Sequence, residues 1–260
     1  MKCLNVFKNL YNYRELLRTS VKKDVGGKYK NSFLGVLWSF VNPLLQIAVY
    51  AIIFPLIMRN GQPHYTLFLC SALIPWTFFS TVIIRSSSTM IENGNIIKKV
   101  YFPREILPIS VVTSEAVNFV ISTILIVGFA IFEGVGLSRF LIFYPIVMLV
   151  QYVLLIGISL IVSSITVYVR DMQHIIGVLM QLLFYTTPIV YNPESIPADF
   201  SWILRYNPMT YLISAYRSMF YLHQMPNLKP LGILLIIGII ICVIGYAIFS
   251  KLQRKFAEEL

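Results

Sequence analysis

The sequence predicts an all-α polytopic membrane protein with six transmembrane helices, and three observations carry that reading. A mean hydropathy of +0.75 with 57% hydrophobic residues leaves too little polar surface for a water-soluble globule of 260 residues. Six long apolar stretches, 34–58, 66–91, 106–132, 140–168, 173–191 and 231–250, fill most of the chain. Most of them reach the ~20 residues that a helix needs to cross ~30 Å of hydrocarbon. None alternates apolar and polar residues with period two, so the closed-barrel solution is excluded and the backbone must satisfy its own hydrogen bonds as helix. Residues 1–260 read as a single transmembrane domain.

Charge sets the orientation, because basic residues are retained on the cytoplasmic side of short loops. An even number of spans puts both termini together with the 92–105 and 169–172 loops. That side carries 15 basic residues, eight of them within 1–33, against five on the opposite side, while Arg85 lies inside the second stretch. Both termini are therefore expected in the cytoplasm. The net charge of +10 follows from this asymmetry and from contact with anionic lipid, so a nucleic-acid partner is unnecessary.

Residues 1–33 hold no apolar core behind their basic residues, so no signal peptide is expected. Phe7, Leu10, Tyr13, Leu17 and Val21 recur at three- and four-residue steps, with Lys8, Asn12, Glu15, Thr19 and Lys22 on the other side. That spacing predicts an amphipathic helix lying along the inner leaflet; a solvated charged helix would show it as well.

The first span carries Trp38, Asn42, Gln46 and Tyr50 at steps of four, which places them on one side of the helix. The fifth repeats the device with Gln173, Gly177, Gln181 and Tyr185. Amides do not face lipid without cost, so both stripes should face other helices or a solvated pathway. Interhelical hydrogen bonding accounts for them, and so does a lining for a sugar chain, whose hydroxyls need hydrogen bonds and whose C–H faces stack on rings.

In the third span Glu115 is the one carboxylate deep inside an apolar stretch, and Asn118 and Ser122 share its side of the helix. A buried carboxylate is a candidate proton relay. A structural ion pair with Arg85, or a protonated Glu115 among polar neighbours, explains it equally.

The loop between the second and third spans, Glu92 to Pro108, is short, basic and aromatic. Asn95 is placed to cap a short helix, Ile96, Ile97 and Val100 to give it an apolar side, and Pro103 to end it. Such a helix could press into a groove on a soluble partner; an ordinary loop obeying the charge rule explains the lysines but not Val-Tyr-Phe-Pro-Arg-Glu. Residues 192–229 are too interrupted, by Pro193, Pro197, Pro208 and Pro226, to form a clean span.

Several chemistries are excluded or unsupported. Cys3, Cys70 and Cys242 show no pairing pattern, and His64, His174 and His223 lie far apart, so no disulfide framework and no metal site are expected. Gly26, Gly27 and Lys28 lack the earlier glycine of a phosphate loop, and Tyr29 stands where a hydroxyl residue would hold magnesium. The chain is therefore not expected to be a P-loop ATPase itself.

Four segments resemble the membrane subunits of bacterial ABC transporters of the type 2 exporter class, specifically the polysaccharide-export permeases: Tyr29–Leu44, Ile97–Pro108, Tyr168-Val-Arg-Asp171 and Asn207–Arg217. The resemblance, in sequence order, covers essentially the whole chain. It implies a homodimer with two copies of a separate P-loop ATPase subunit, which would hold the ATP and magnesium. It implies a polysaccharide or teichoic-acid-like polymer on a polyprenyl diphosphate lipid as substrate. The membrane would be the bacterial cytoplasmic one. Residues 93–104 would be the coupling helix, with Ile97, Lys98, Tyr101, Phe102, Arg104 and Glu105 meeting the ATPase. The first and fifth spans would line the conduit through Trp38, Asn42, Gln46, Tyr50, Gln181 and Tyr185, and 192–229 would be re-entrant on the outer side.

Two other classes stay open. A proton-coupled flippase or other secondary transporter would depend on Glu115 under every condition. A membrane glycosyltransferase or acyltransferase would need paired carboxylates or a histidine at a loop mouth, for which Glu194 and Asp199 are the nearest candidates.

Overall fold

The computed structural model describes residues 11–27, 38–58 and 62–260, and among them the secondary structure is helix and turn without strand. Phe7, Leu10, Cys3 and the 29–37 part of the first resemblance segment lie outside the described residues.

The interfacial segment forms α1, Arg14–Gly27, and the first span forms α2, Trp38–Met58, with Pro43 and Pro55 inside it. The second span is α3, Tyr65–Glu92, and a six-residue helix α4, Gly94–Lys99, follows directly. The third is α5, Ile106–Phe132. Gly134 and Gly136, both at positive φ, turn the chain into a 3-10 stretch whose first free N–H, that of Phe140, is accepted by Ser138. Helix α6, Tyr144–Tyr168, then returns. The remaining elements are α7, Met172–Thr186, two short helices α8, Ser201–Tyr206, and α9, Pro208–Phe220, the long α10, Leu228–Leu252, and a terminal turn α11, Phe256–Glu259.

Among the described residues four helices are long and apolar enough to cross a membrane: Tyr65–Glu92, Ile106–Phe132, Arg139–Tyr168 and Leu228–Lys255. Phe40–Leu56 and Met172–Thr186 are apolar but shorter. Helix α7 ends at Thr186 because Pro188 removes the N–H that would continue it, so in place of the expected 173–191 span stands a helix of only 15 residues, Met172–Thr186. At 1.5 Å per residue that is about 22 Å, short of the hydrocarbon thickness.

Helix α3 is the centre of the bundle, packed by α5, α6, α7 and α9, and a contiguous apolar core runs through it from Leu67 to Ile83. Polar residues stitch the helices internally, as lipid-buried hydroxyls and amides must. Ser86 and Ser159 pair at 2.7 Å, Thr113 meets Tyr152 at 2.9 Å and Thr123 meets Tyr144 at 2.8 Å. Gln151 is fully buried and donates to the Pro75 carbonyl while accepting from Tyr216, so it joins α3, α6 and α9. Each such bond contributes about 0.6–1 kcal/mol in a membrane.

The α10–α6 contact is the most extensive in the molecule, and glycines make it close. A Cβ on Gly157 would stand 2.6 Å from the Cys242 nitrogen, and one on Gly245 2.6 Å from the Gly157 carbonyl oxygen. Backbones touch there because no side chain intervenes.

The interrupted 192–229 segment folds onto the end of the bundle opposite α4. Asn207 caps α9 by accepting from Met209 N, with Pro208 at the first helical position, and also donates to Thr187. The Arg217 guanidinium is buried over the Phe68 ring, 3.5 Å from its centroid, and donates to the Ile189 carbonyl at 2.6 Å. Counted by sequence among loop charges, Arg217 is instead a buried cation held by a ring face and a carbonyl.

Candidate transport face and coupling site

The polar stripes lie on a protomer surface rather than in its core. Among the described residues of α2 Ile47 is the buried one, whereas Asn42 and Gln46 are exposed beside Leu45, Val49 and Ile52. On α7 the buried residues are Ile176 and Met180, and Gln181 and Tyr185 are exposed. Among the described residues, the amides of Asn42, Gln46 and Gln181 make no hydrogen bond, so packing within the protomer does not use them. Gln173 differs: its amide donates to the Ser87 carbonyl at 3.4 Å, an interhelical bond of the ordinary kind. The two helices meet through rings, Tyr50 lying 5.8 Å from Phe184, which stands edge-on to Tyr185 at 5.4 Å.

Trp38 and Asn42 also border a cavity of about 190 Å³ between α2, α3 and α5. Its far wall carries Glu115, Asn118 and Ser122 from α5 and Thr77 and Thr81 from α3. Sequence spacing put those α5 residues on one side of the helix; the tertiary fold turns that side toward the α2 stripe.

Arg85 Nη1 contacts Glu115 Oε1 at 2.5 Å, the ion pair that is one of the readings the sequence leaves open. The second carboxyl oxygen of Glu115 accepts from Asn118 at 3.1 Å. A third member was not legible. Asp24 of α1 reaches Arg85 Nη2 at 3.2 Å, and its carboxylate also accepts from Ser114 at 3.4 Å. One cation thus holds two carboxylates, and α1 is fastened to α3 and α5 by its last turn. The signal for Asp24 was weak in sequence, since one acid among the basic residues of 1–33 reads as ordinary helix surface.

The 92–105 segment departs from its expected local structure in two ways. Helix α4 starts at Gly94, and Asn93, not Asn95, precedes it, its backbone carbonyl accepting from Ile96 and Ile97. The Asn93 side chain donates backward to the Thr89 carbonyl, which also accepts from the Asn93 N–H at the end of α3, instead of capping α4. Of the three apolar residues expected on one side, Ile97 alone is buried; Ile96 and Val100 are exposed. The segment therefore sorts its residues. Ile97, Phe102 and Glu105 point inward, while Lys98, Lys99 and Tyr101 point out, Tyr101 at 95% exposure. Arg104 is half-buried and donates to the Gln253 carbonyl. A groove of about 640 Å³ runs beside it, bordered by Tyr13, Tyr101, Arg104, Tyr246 and Arg254.

Glu194 and Asp199 are both exposed, in separate turns beyond α7. Among the described residues, no group of three metal-ligating side chains comes together.

The chain is 39% identical over 253 residues to the O-antigen export system permease protein RfbA of Klebsiella pneumoniae, with 97% of each chain covered. It is 33% identical over 259 residues to the RfbA protein of Myxococcus xanthus, covering 99% of this chain and 100% of that one. Its similarity to the polysialic acid transport protein KpsM of Escherichia coli is 25% identity over 202 residues, 74% of each chain. Residues 15–221, from the second residue of α1 to the residue after α9, match the protein family described as ABC-2 type transporter. The chain belongs to that family of transporter membrane subunits.

Proposed function

We propose that this chain is the membrane subunit of an ATP-driven exporter that moves a lipid-linked polysaccharide outward across the bacterial cytoplasmic membrane. The observation that carries the reading is the 39% identity to an O-antigen export permease over 97% of both chains. Two features support it independently. The unpartnered amides of Asn42, Gln46 and Gln181, set among Tyr50 and Tyr185, offer weak hydrogen bonds and ring faces on a surface that a second copy could complete. Weak contacts suit a polymer that must keep sliding. On the other end, α4 presents Ile96, Lys98 and Lys99, and the segment after it Tyr101, to a soluble partner.

The working unit in this reading is a homodimer with two P-loop ATPase subunits, which bind ATP and magnesium. Both termini and α4 face the cytoplasm, α2 and α7 complete a count of six spans, and 192–229 is re-entrant on the outer side. Glu115 is a structural partner of Arg85, since both of its oxygens are engaged by Arg85 and Asn118.

Co-expression with the candidate ATPase subunit tests the proposal. The two should purify together, the permease alone should bind no nucleotide, and surface polymer should vanish when either subunit is deleted. A partner-free permease that still exports polymer, or export that follows the proton gradient without ATP, would overturn it.

A further inference from the structure

A six-residue helix does not hold its own shape in water, and α4 buries little more than Gly94 and Ile97. Its position must come from what lies beneath it. Part of that support is the chain beyond α10, which no transport surface described above uses.

The last turn of any helix leaves carbonyls that no later N–H takes up. At the end of α10 two consecutive carbonyls accept from side chains of two different connections, the second of them, on Gln253, also accepting from the Phe256 N–H of the 3-10 turn that follows. Tyr168, at the end of α6, donates to the Leu252 carbonyl at 2.8 Å, and Arg104, from the segment after α4, donates to the Gln253 carbonyl. The Arg104 charge is also favourable at the negative end of the α10 dipole. Beyond that point the chain folds back, and α11 packs against α4 and α6. Phe256 is fully buried, edge-on to Phe249 with centroids 5.5 Å apart and 6.2 Å from the Tyr168 ring. It shares one apolar cluster with Met90 of α3, Ile97 of α4 and Phe102. Leu260 reaches under the start of α4, its Cβ 3.6 Å from where a Cβ on Gly94 would stand.

We propose that residues 252–260 are a positioning segment for the coupling helix. They seat α4 and the 169–171 turn on the end of α10 as one unit. A displacement imposed on α4 then reaches α6 and α10 together, rather than α3 alone through the Asn93 turn. This rests on the proposed role of α4 as the ATPase contact. Phe256 and Leu260 touch neither polymer nor ATPase in this reading; they act through Ile97, Phe102 and Gly94.

Two experiments on the full permease with its ATPase subunit test the inference. In the first, Phe256→Ala is expected to keep the complex assembled while the polymer exported per ATP hydrolysed falls about fivefold, with Phe256→Leu restoring most of it. Unchanged export per ATP in Phe256→Ala would overturn the inference. Loss of assembly in the wild-type chain would instead remove the proposed function.

The second does not depend on tolerance of a core truncation. The 3.6 Å spacing matches the Cβ separation of a disulfide. In a background with Cys3→Ala, Cys70→Ala and Cys242→Ala, the pair Gly94→Cys and Leu260→Cys should cross-link on oxidation and leave export within about twofold of the reduced protein. Failure to cross-link would overturn the contact. A cross-link that stops export would overturn the role, because it would mean that the segment must leave α4 during the cycle.

Discussion

Gly157 on α6 and Gly245 on α10 approach so closely that a Cβ on Gly245 would stand 2.6 Å from the Gly157 carbonyl oxygen. Neither backbone has room to yield without moving a 25-residue helix. Gly245→Val is therefore expected to lower the stability of the solubilised protein by about 1–3 kcal/mol, and Gly157→Val similarly, as overpacking does. Gly177, with nothing within 4 Å of its would-be Cβ, is the control. Gly177→Ala should leave the melting temperature in detergent unchanged or slightly raised, since alanine is the better helix former.

The Asp24–Arg85–Glu115 group should show the asymmetry of buried ion pairs. Arg85→Ala leaves two carboxylates uncompensated near one another and is expected to destabilise the protein by less than the ~3–5 kcal/mol of a fully buried pair, since the Arg85 and Asp24 side chains are 31% and 25% exposed. Removing the charge from both sides, as in Arg85→Met with Glu115→Gln, should recover much of that loss. Thermal unfolding of the single and double variants checks it. Glu115→Gln alone should keep export at any external pH, because its role here is to partner Arg85; loss of export at every pH would favour a proton relay instead.

The exposed amides predict a labelling pattern. Cysteines at Asn42, Gln46 and Gln181 should react with a water-soluble thiol reagent in at least one nucleotide state of the assembled transporter. Cysteines at Ile47, 1% exposed, and Met180, 5% exposed, should not. Leu45 adds a further contrast, since it is exposed but flanked by apolar surface. Equal labelling at all positions, or none on the striped side, would mean that the amides are spent on helix-to-helix bonds between protomers.

The sorting of the 92–105 segment separates two kinds of coupling defect. Tyr101, almost fully exposed, is an anchor for the ATPase, and Tyr101→Ala is expected to weaken association by about 1–2 kcal/mol, roughly tenfold in affinity. The triple variant Phe102→Ala, Arg104→Ala, Glu105→Ala acts beneath the surface. It should reduce export while membrane insertion, followed by protease accessibility, stays intact. Persistent export with substrate-stimulated hydrolysis in the triple variant would refute the assignment.

Composition and periodicity by themselves determined that the chain is helical and built for a membrane. Runs such as 106–132 and 231–250 leave the backbone no partner but itself. The same logic located the polar stripes, because steps of four on a helix are a local property. Arg85 and Glu115 were legible as a pair for a related reason, since two opposite charges inside apolar stretches have few places to go. Tertiary structure alone decided what is reached across the chain. That Asp24 joins Arg85, that Arg217 is buried against Phe68, and that the α10 carbonyls accept from Arg104 and Tyr168 are contacts between residues 61 to 149 positions apart. No local spacing encodes them. The end of α7 is a local property, since Pro188 removes the next N–H whatever the bundle does, whereas the start of α4 follows from where α3 closes, the Asn93 N–H returning to Thr89.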